Sequence, residues 1–327
     1  MIPMLGPWGW LAAGLLGLLV GSFLNVVIHR LPRMLERRWA AEAAAYTAAT
    51  LADGADARRP DGVNTTDGTP DDRSGGVTMA TGGAAAATHP PDAAAQAPAS
   101  AYNLLVPRSH CPHCGTSLRW YHNIPILSWL ALRGRCAACG AAIGLRYPLV
   151  ELLTAAAFIA VFTRYGVSAA TLAWWGFVAA VLALAFIDWD TTLLPDDITL
   201  PLAWAGLIAA AVGFTEVTLP DALWGAVAGY LSLWCVYWTF KLLTGKEGMG
   251  YGDFKLLAAL GAWLGWQALI PLVLVASALG AVVGLGMKAA HALREGRYVP
   301  FGPFLAFGGL LVWTVGPGSV VRALGLG

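Results

Sequence analysis

Gly248-Met249-Gly250-Tyr251-Gly252-Asp253-Phe254-Lys255 sets a carboxylate at the mouth of an apolar helix, with glycines clearing the space around it. An acid at the edge of a bilayer is costly unless it has a task or a partner. A second carboxylate, Asp188, ends another apolar run in Phe186-Ile187-Asp188-Trp189-Asp190. Two such acids, each at a helix end, point to a two-aspartate site. The rest of the chain reads as what holds that pair and brings substrate to it.

Working outward, the chain has 327 residues, 57% of them hydrophobic and 12% charged. Soluble domains carry about 25% charged residues, so an all-α polytopic membrane protein is expected. The 15 Trp and 39 Gly agree, since Trp marks interfaces and Gly packs membrane helices. About eight transmembrane helices are expected, over 8–28, 149–163, 169–187, 198–214, 221–243, 253–264, 268–289 and 302–322. The sixth is barely long enough to cross. The net charge of +1 gives no sign of a nucleic-acid partner, and none is expected.

Charge placement orients the chain. Twelve of the twenty Lys and Arg lie between His29 and Pro148, and all twelve are Arg. Arg30, Arg33, Arg37 and Arg38 crowd one membrane end of that segment; Arg133, Arg135 and Arg146 crowd the other. Basic residues near membrane ends favour the cytoplasm. No basic residue precedes the first span and Arg30 follows it, which reads as a retained anchor with its N-terminus outside, not a signal peptide. Alternation then places the turns 188–197, 241–253 and 288–297 in the cytoplasm. The last two carry Lys241, Lys246, Lys288, Arg294 and Arg297, while the opposite turns carry Arg164, Glu216 and Asp221. Asp188 and Asp253 are thereby expected on one face.

The expected domains are a first helix over 1–28, a cytoplasmic domain over 29–148 and a seven-helix membrane core over 149–327. Within the cytoplasmic domain, 31–49 reads as a short helix. Residues 52–100 are Ala, Gly, Asp, Thr and Pro with almost no large apolar side chain. Such a stretch cannot offset its ordering entropy and reads as a disordered insertion. A cysteine module follows over 103–147: Cys111-Pro112-His113-Cys114, then 21 residues, then Cys136-Ala137-Ala138-Cys139. In a reducing compartment two close thiol pairs favour metal over disulfide. Four sulfur ligands make a closed tetrahedral zinc site, zinc-ribbon-like and structural. Gly115 and Gly140 sit where each knuckle would turn back. His113 is expected to be exposed and Cys235 to pack within a span.

Two carboxylates sharing a proton can hydrolyse a peptide, one activating water and the other protonating the carbonyl or leaving amine. Asp190, Asp196 and Asp197 are expected to serve as solvated interface acids and caps, with Asp196 or Asp197 capping the helix before Ile198. Gly250 and Gly252 would let an extended strand approach the backbone. Lys255 either neutralises local charge or snorkels. Asn25, inside the first span, is expected to make a helix-packing hydrogen bond. A transporter or channel with cation-binding acids is the competing reading.

Taken together, these residues resemble the type IV prepilin peptidase family, the bifunctional leader peptidase/N-methyltransferases with a GxGD aspartic protease centre. The resemblance runs through Gly21-Ser22-Phe23-Leu24-Asn25-Val26-Val27-Ile28-His29-Arg30-Leu31-Pro32, Tyr102-Asn103-Leu104 and both cysteine pairs. It continues through Asn123-Ile124-Pro125-Ile126-Leu127-Ser128-Trp129, Arg133-Gly134-Arg135-Cys136, Arg146-Tyr147-Pro148, Glu151 and the aspartate turn, and closes on Gly250–Lys255. It implies catalytic aspartates at Asp188 and Asp253, and prepilin and type II secretion pseudopilin substrates in the bacterial inner membrane. It implies cleavage after a Gly that ends a short basic leader, on the cytoplasmic side. The new N-terminal residue would then be methylated from S-adenosylmethionine. The zinc-bearing module is the part that bifunctional members carry. The stretch around 52–100 departs from the family pattern.

Overall fold

The computed structural model describes residues 6–56, 102–118, 124–290 and 299–325. The expected insertion therefore falls almost entirely outside the described residues, as do Asn123, Arg294 and Arg297. Ten α-helices are described: α1 (Gly6–Asp56), α2 (Leu127–Ala131), α3 (Arg146–Tyr165), α4 (Ala169–Thr191) and α5 (Asp196–Ala211), then α6 (Leu219–Thr244), α7 (Tyr251–Leu264), α8 (Leu269–Ala289), α9 (Gly302–Val315) and α10 (Pro317–Ala323). Among the described residues, β structure is confined to two isolated bridges.

The eight expected spans lie largely on helix, but α5 ends at Ala211, short of 214, Gly316 breaks the last span, and the helices are not equally long. Five helices are long and apolar enough to cross a membrane: Trp8–Leu51 within α1, then α3, α4, α6 and Trp266–Ala289. The pair α9 and α10 is bent by 104° and counts as a sixth only if the two are taken as one broken span. α5 has 16 residues and α7 has 14. At about 1.5 Å per residue both fall short of a hydrocarbon core of about 30 Å. α7 need not meet lipid along its length, because α5, α6 and α9 all pack against it. Phe254, Leu256, Leu257, Ala259, Leu260 and Ala262 are accordingly buried.

The first helix also departs from expectation. No break separates the anchor from the short helix after it; α1 passes through Pro32 and reaches Asp56. Proline removes one backbone donor, and the Ala-rich run beyond Trp39 carries enough helix propensity to continue. Residues 52–56, expected to be unstructured, are helical.

The chain divides into two compact units, Met34–Pro107 and the remainder. In the smaller unit, Asn103 makes a side-chain turn: its Oδ1 accepts from the N–H groups of Leu105 and Val106, both at 2.8 Å. The Arg37 guanidinium lies 4.0 Å from the centre of the Tyr102 ring.

In the larger unit, glycines let helices cross at backbone distance. A Cβ on Gly225 of α6 would lie 2.2 Å from the Gly261 carbonyl oxygen of α7, and one on Gly229 would lie 2.7 Å from that of Leu257. Gly225 and Gly229 form a small-xxx-small pair, the spacing that brings membrane helices together. Gly17 and Gly21 of α1 meet the backbone of α3 at Ala155 and Glu151 in the same way. Asn25 donates to the Tyr147 carbonyl at 3.1 Å, the helix-packing bond expected of it. Cys235, by contrast, is exposed on α6 and is not a packing residue: the side of α6 that packs is the one carrying Gly225, Gly229, Leu233 and Tyr237.

Candidate functional site: an aspartate pair and a four-thiol cluster

α4 ends where Thr192 turns left-handed at φ 54° and donates its N–H to the Asp188 carbonyl at 2.8 Å. The Asp188 side chain points inward from this last turn and is only 4% exposed. The chain then runs through Leu194 into α5. α7 begins after Gly250, which is extended (φ −82°, ψ 149°), so Asp253 falls in the helix's first turn. Its carboxyl is 8% exposed and lies within electrostatic reach of Asp188. Two acids 65 positions apart in the chain are therefore brought to one end of the bundle, beneath the α4–α5 turn.

Close contacts fix Asp188 and set Leu194 against the glycines beside both acids. Gly302, the first residue of α9, donates its N–H to Asp188 Oδ2 at 3.0 Å. A Cβ there would lie 2.5 Å from that oxygen, so only glycine leaves room for the carboxylate. Leu194 covers the site from above: Cβ atoms built on Gly252 and Gly302 would meet it at 2.7 and 3.2 Å. Gly250 differs from Gly252. Open space lies beside it, with no atom nearer than the Gly252 nitrogen at 4.0 Å.

The surrounding charges are paired. Lys255 Nζ binds both oxygens of Asp196 at 2.7 Å, so it neutralises the acid that opens α5. Asp196 and Asp197 occupy the first turn of α5, and the cap position before them is Pro195, not an aspartate. The helix dipole still favours acids there. Asp190 is held by the Arg146 guanidinium, which also donates to the Phe186 carbonyl at 3.4 Å. At the opposite end of the bundle, Arg164 donates to Glu216 at 3.0 and 3.1 Å and to the Trp313 carbonyl at 2.8 Å. That pairing accounts for the basic residue that the α3–α4 turn places on the sparsely charged face.

The cysteine module is a repeat with an offset of 25 residues. Antiparallel bridges join His110 to Ser117 and Arg135 to Ala142. Cys111 N–H donates to Thr116 O at 3.0 Å, and Cys136 N–H to Ala141 O at 2.8 Å. Gly115 and Gly140 turn left-handed at φ 69° and 70°, and each donates to the first cysteine of its own pair at 2.9 Å. Two matching knuckles therefore face each other. The Sγ atoms of Cys111, Cys114, Cys136 and Cys139 all lie within 4.8 Å of one another, and Cys111 and Cys139 are 3.8 Å apart. Tetrahedral zinc–sulfur bonds of about 2.3 Å require sulfurs about 3.8 Å apart, so the four thiols fit that ion. Interaction with Thr116 pulls the Cys114 thiol down to about 6, while desolvation and the neighbouring thiols push Cys139 up to about 11; a metal would need both as thiolates. His113 is exposed and outside the cluster, as expected.

Sequence reasoning missed Gly302 and Leu194. The available signal was the Gly302-Pro303 pair, which punctuates a helix start. It did not say which acid would occupy the space. Glu151 was known only through the resemblance; its Oε2 accepts the Ile126 N–H at 2.8 Å, tying the cysteine module to α3.

Comparison with known proteins agrees with the architecture. Residues 15–165 match the Bacterial Peptidase A24 N-terminal domain and residues 175–285 match the Type IV leader peptidase family. A prepilin leader peptidase/N-methyltransferase of Aeromonas hydrophila is 49% identical over 317 residues, covering 94% of this chain and 92% of that protein. One from Burkholderia pseudomallei is 48% identical, covering 90% and 81%. Another from Pseudomonas aeruginosa is 46% identical, covering 91% and 88%. No solved structure matches. With its paired domains and near full-length similarity to such proteins, the chain belongs to the Type IV leader peptidase family.

Proposed function

We propose that this protein is a membrane aspartic endopeptidase and N-methyltransferase acting on type IV prepilins and pseudopilins. The observation that carries the peptidase assignment is the buried Asp188–Asp253 pair, with Gly302 N–H fixed on one oxygen. Like charges in such a site share a proton. The ionised carboxylate takes a proton from water as its oxygen attacks the scissile carbonyl; the protonated one donates to that carbonyl. Collapse breaks the C–N bond, and the amine leaves with a proton from the dyad. The open space beside Gly250 admits the extended strand, while Gly252 sets the packing against Leu194. Lys255 supports the site through Asp196.

We place the active end at the cytoplasmic face of the bacterial inner membrane, because Arg146, Lys241, Lys246 and Lys255 gather there. Cys111, Cys114, Cys136 and Cys139 hold a structural zinc. S-adenosylmethionine supplies the methyl group to the amine freed by cleavage. The described residues offer no βαβ unit with a Gly-rich turn, so no residue is assigned to that donor. Cation transport is disfavoured by acids at one end of the bundle and not at its middle. Mass spectrometry of a co-expressed prepilin tests both activities: loss of the leader and one added methyl are expected, and an intact leader would end the reading.

A further inference from the structure

An apolar cavity of about 540 Å³ opens on the outer side of the seam between α4 and α9, with α3 as its far wall. Phe186, Trp189 and Pro303 line one end and Thr314 the other, with Phe307 and Leu310 between them. From Pro303 to Thr314 the groove follows α9 for roughly 16 Å, the rise of three helical turns. Its first end is continuous with the aspartate pair: Phe186 and Trp189 flank Asp188 in α4, and Pro303 adjoins the Gly302 that donates to Asp188. Asp188 lies about a third of a turn around α4 from the lining residues, at about 100° per residue. A chain leaving the dyad therefore needs only to round the end of the seam to enter the groove.

We propose that this groove seats the apolar membrane helix of the leader-bearing substrate, on the product side of the scissile bond. The assignment rests on the peptidase reading above. A polypeptide whose cut lies at the membrane surface must place its apolar continuation within the bilayer. The groove is an open trough walled by α3, α4 and α9 that begins beside the dyad, and its lining is apolar except for Thr314 at the far end. Its depth sets the register, because an apolar helix seated against Pro303 leaves the preceding residues extended toward Gly250.

The test uses the full chain in nanodiscs and two synthetic peptides. One carries a basic leader, a Gly–Phe junction and an apolar helix of about 20 residues; the other stops shortly after the junction. A benzophenone amino acid replaces Phe307 in the Asp188→Asn protein, and Trp224, exposed on α6 outside the groove, in a control. Photo-crosslinking of the long peptide from position 307 and not from 224 is expected. Ala185→Trp, which fills the trough, is expected to cut the preference for the long over the short peptide by about tenfold, as lost apolar burial would. Crosslinks to lipid alone from 307, equal yields from both positions, or an unchanged preference would overturn the groove. Cleavage of neither peptide by wild-type protein would instead remove the peptidase reading, and this assignment with it.

Discussion

Gly302 lacks a side chain where Asp188 would meet one. Gly302→Ala puts a methyl 2.5 Å from Oδ2, so either the carboxylate or α9 must shift. A stability loss of about 1–3 kcal/mol is expected for such overpacking, together with slower leader cleavage. Thermal melts and a gel-shift assay measure the two; an unchanged melt and rate would mean that Asp188 has room to retreat. Asp188→Asn and Asp253→Asn should each lower cleavage by about 10²–10⁴-fold, the usual worth of a positioned acid or base. Melts close to wild type would separate lost chemistry from lost fold. Lys255→Met is a milder change. Its pair with Asp196 is 29% and 52% exposed, and pairs of that kind contribute about 0.2–1 kcal/mol. A larger loss in cleavage than in stability would put Lys255 on the substrate.

At the level of elements, the position of Asp253 depends on how closely α7 crosses α6. A Cβ on Gly261 would lie 2.1 Å from the Gly225 carbonyl oxygen. Gly261→Val must push the helices apart and should lower stability and cleavage together, while Gly286→Val, with open space around it, should change neither. Pulse proteolysis with a parallel cleavage assay would compare them; equal behaviour would deny that the crossing sets the site. The cysteine knuckles make a separate prediction. Cys114→Ser removes one of four ligands, so the zinc content of purified protein should fall from one per chain toward zero. The segment 108–144 should become sensitive to protease, because its two bridges are too few to hold it without metal. Full zinc retention would take Cys114 out of the ligand set.

At the scale of the whole molecule, charge among the described residues differs between the two ends of the bundle. Lys241, Lys246, Lys255 and Arg146 gather near the aspartates, while Arg164 is matched by Glu216 at the other end. A membrane-impermeant thiol reagent on intact cells should therefore label Glu216→Cys and leave Lys246→Cys unlabelled until the membrane is opened. Labelling of both from outside would invert the assigned orientation.

What sequence alone determined were properties carried by local composition and short spacing. Continuous apolar runs and charge placement marked the helices and led to the expectation that Asp188 and Asp253 share one end. Cys-x-x-Cys-Gly, twice, marked the metal knuckles. Tertiary structure decided the rest. It made α1 continuous through Pro32 and buried α7 too deeply to need full membrane length. It paired Lys255 with Asp196 and Arg146 with Asp190, choices that depend on which helix ends meet. It also brought Gly302 to Asp188, 114 residues away. No local signal encodes that contact, because the absence of a side chain has meaning only once the neighbouring helix fills the space.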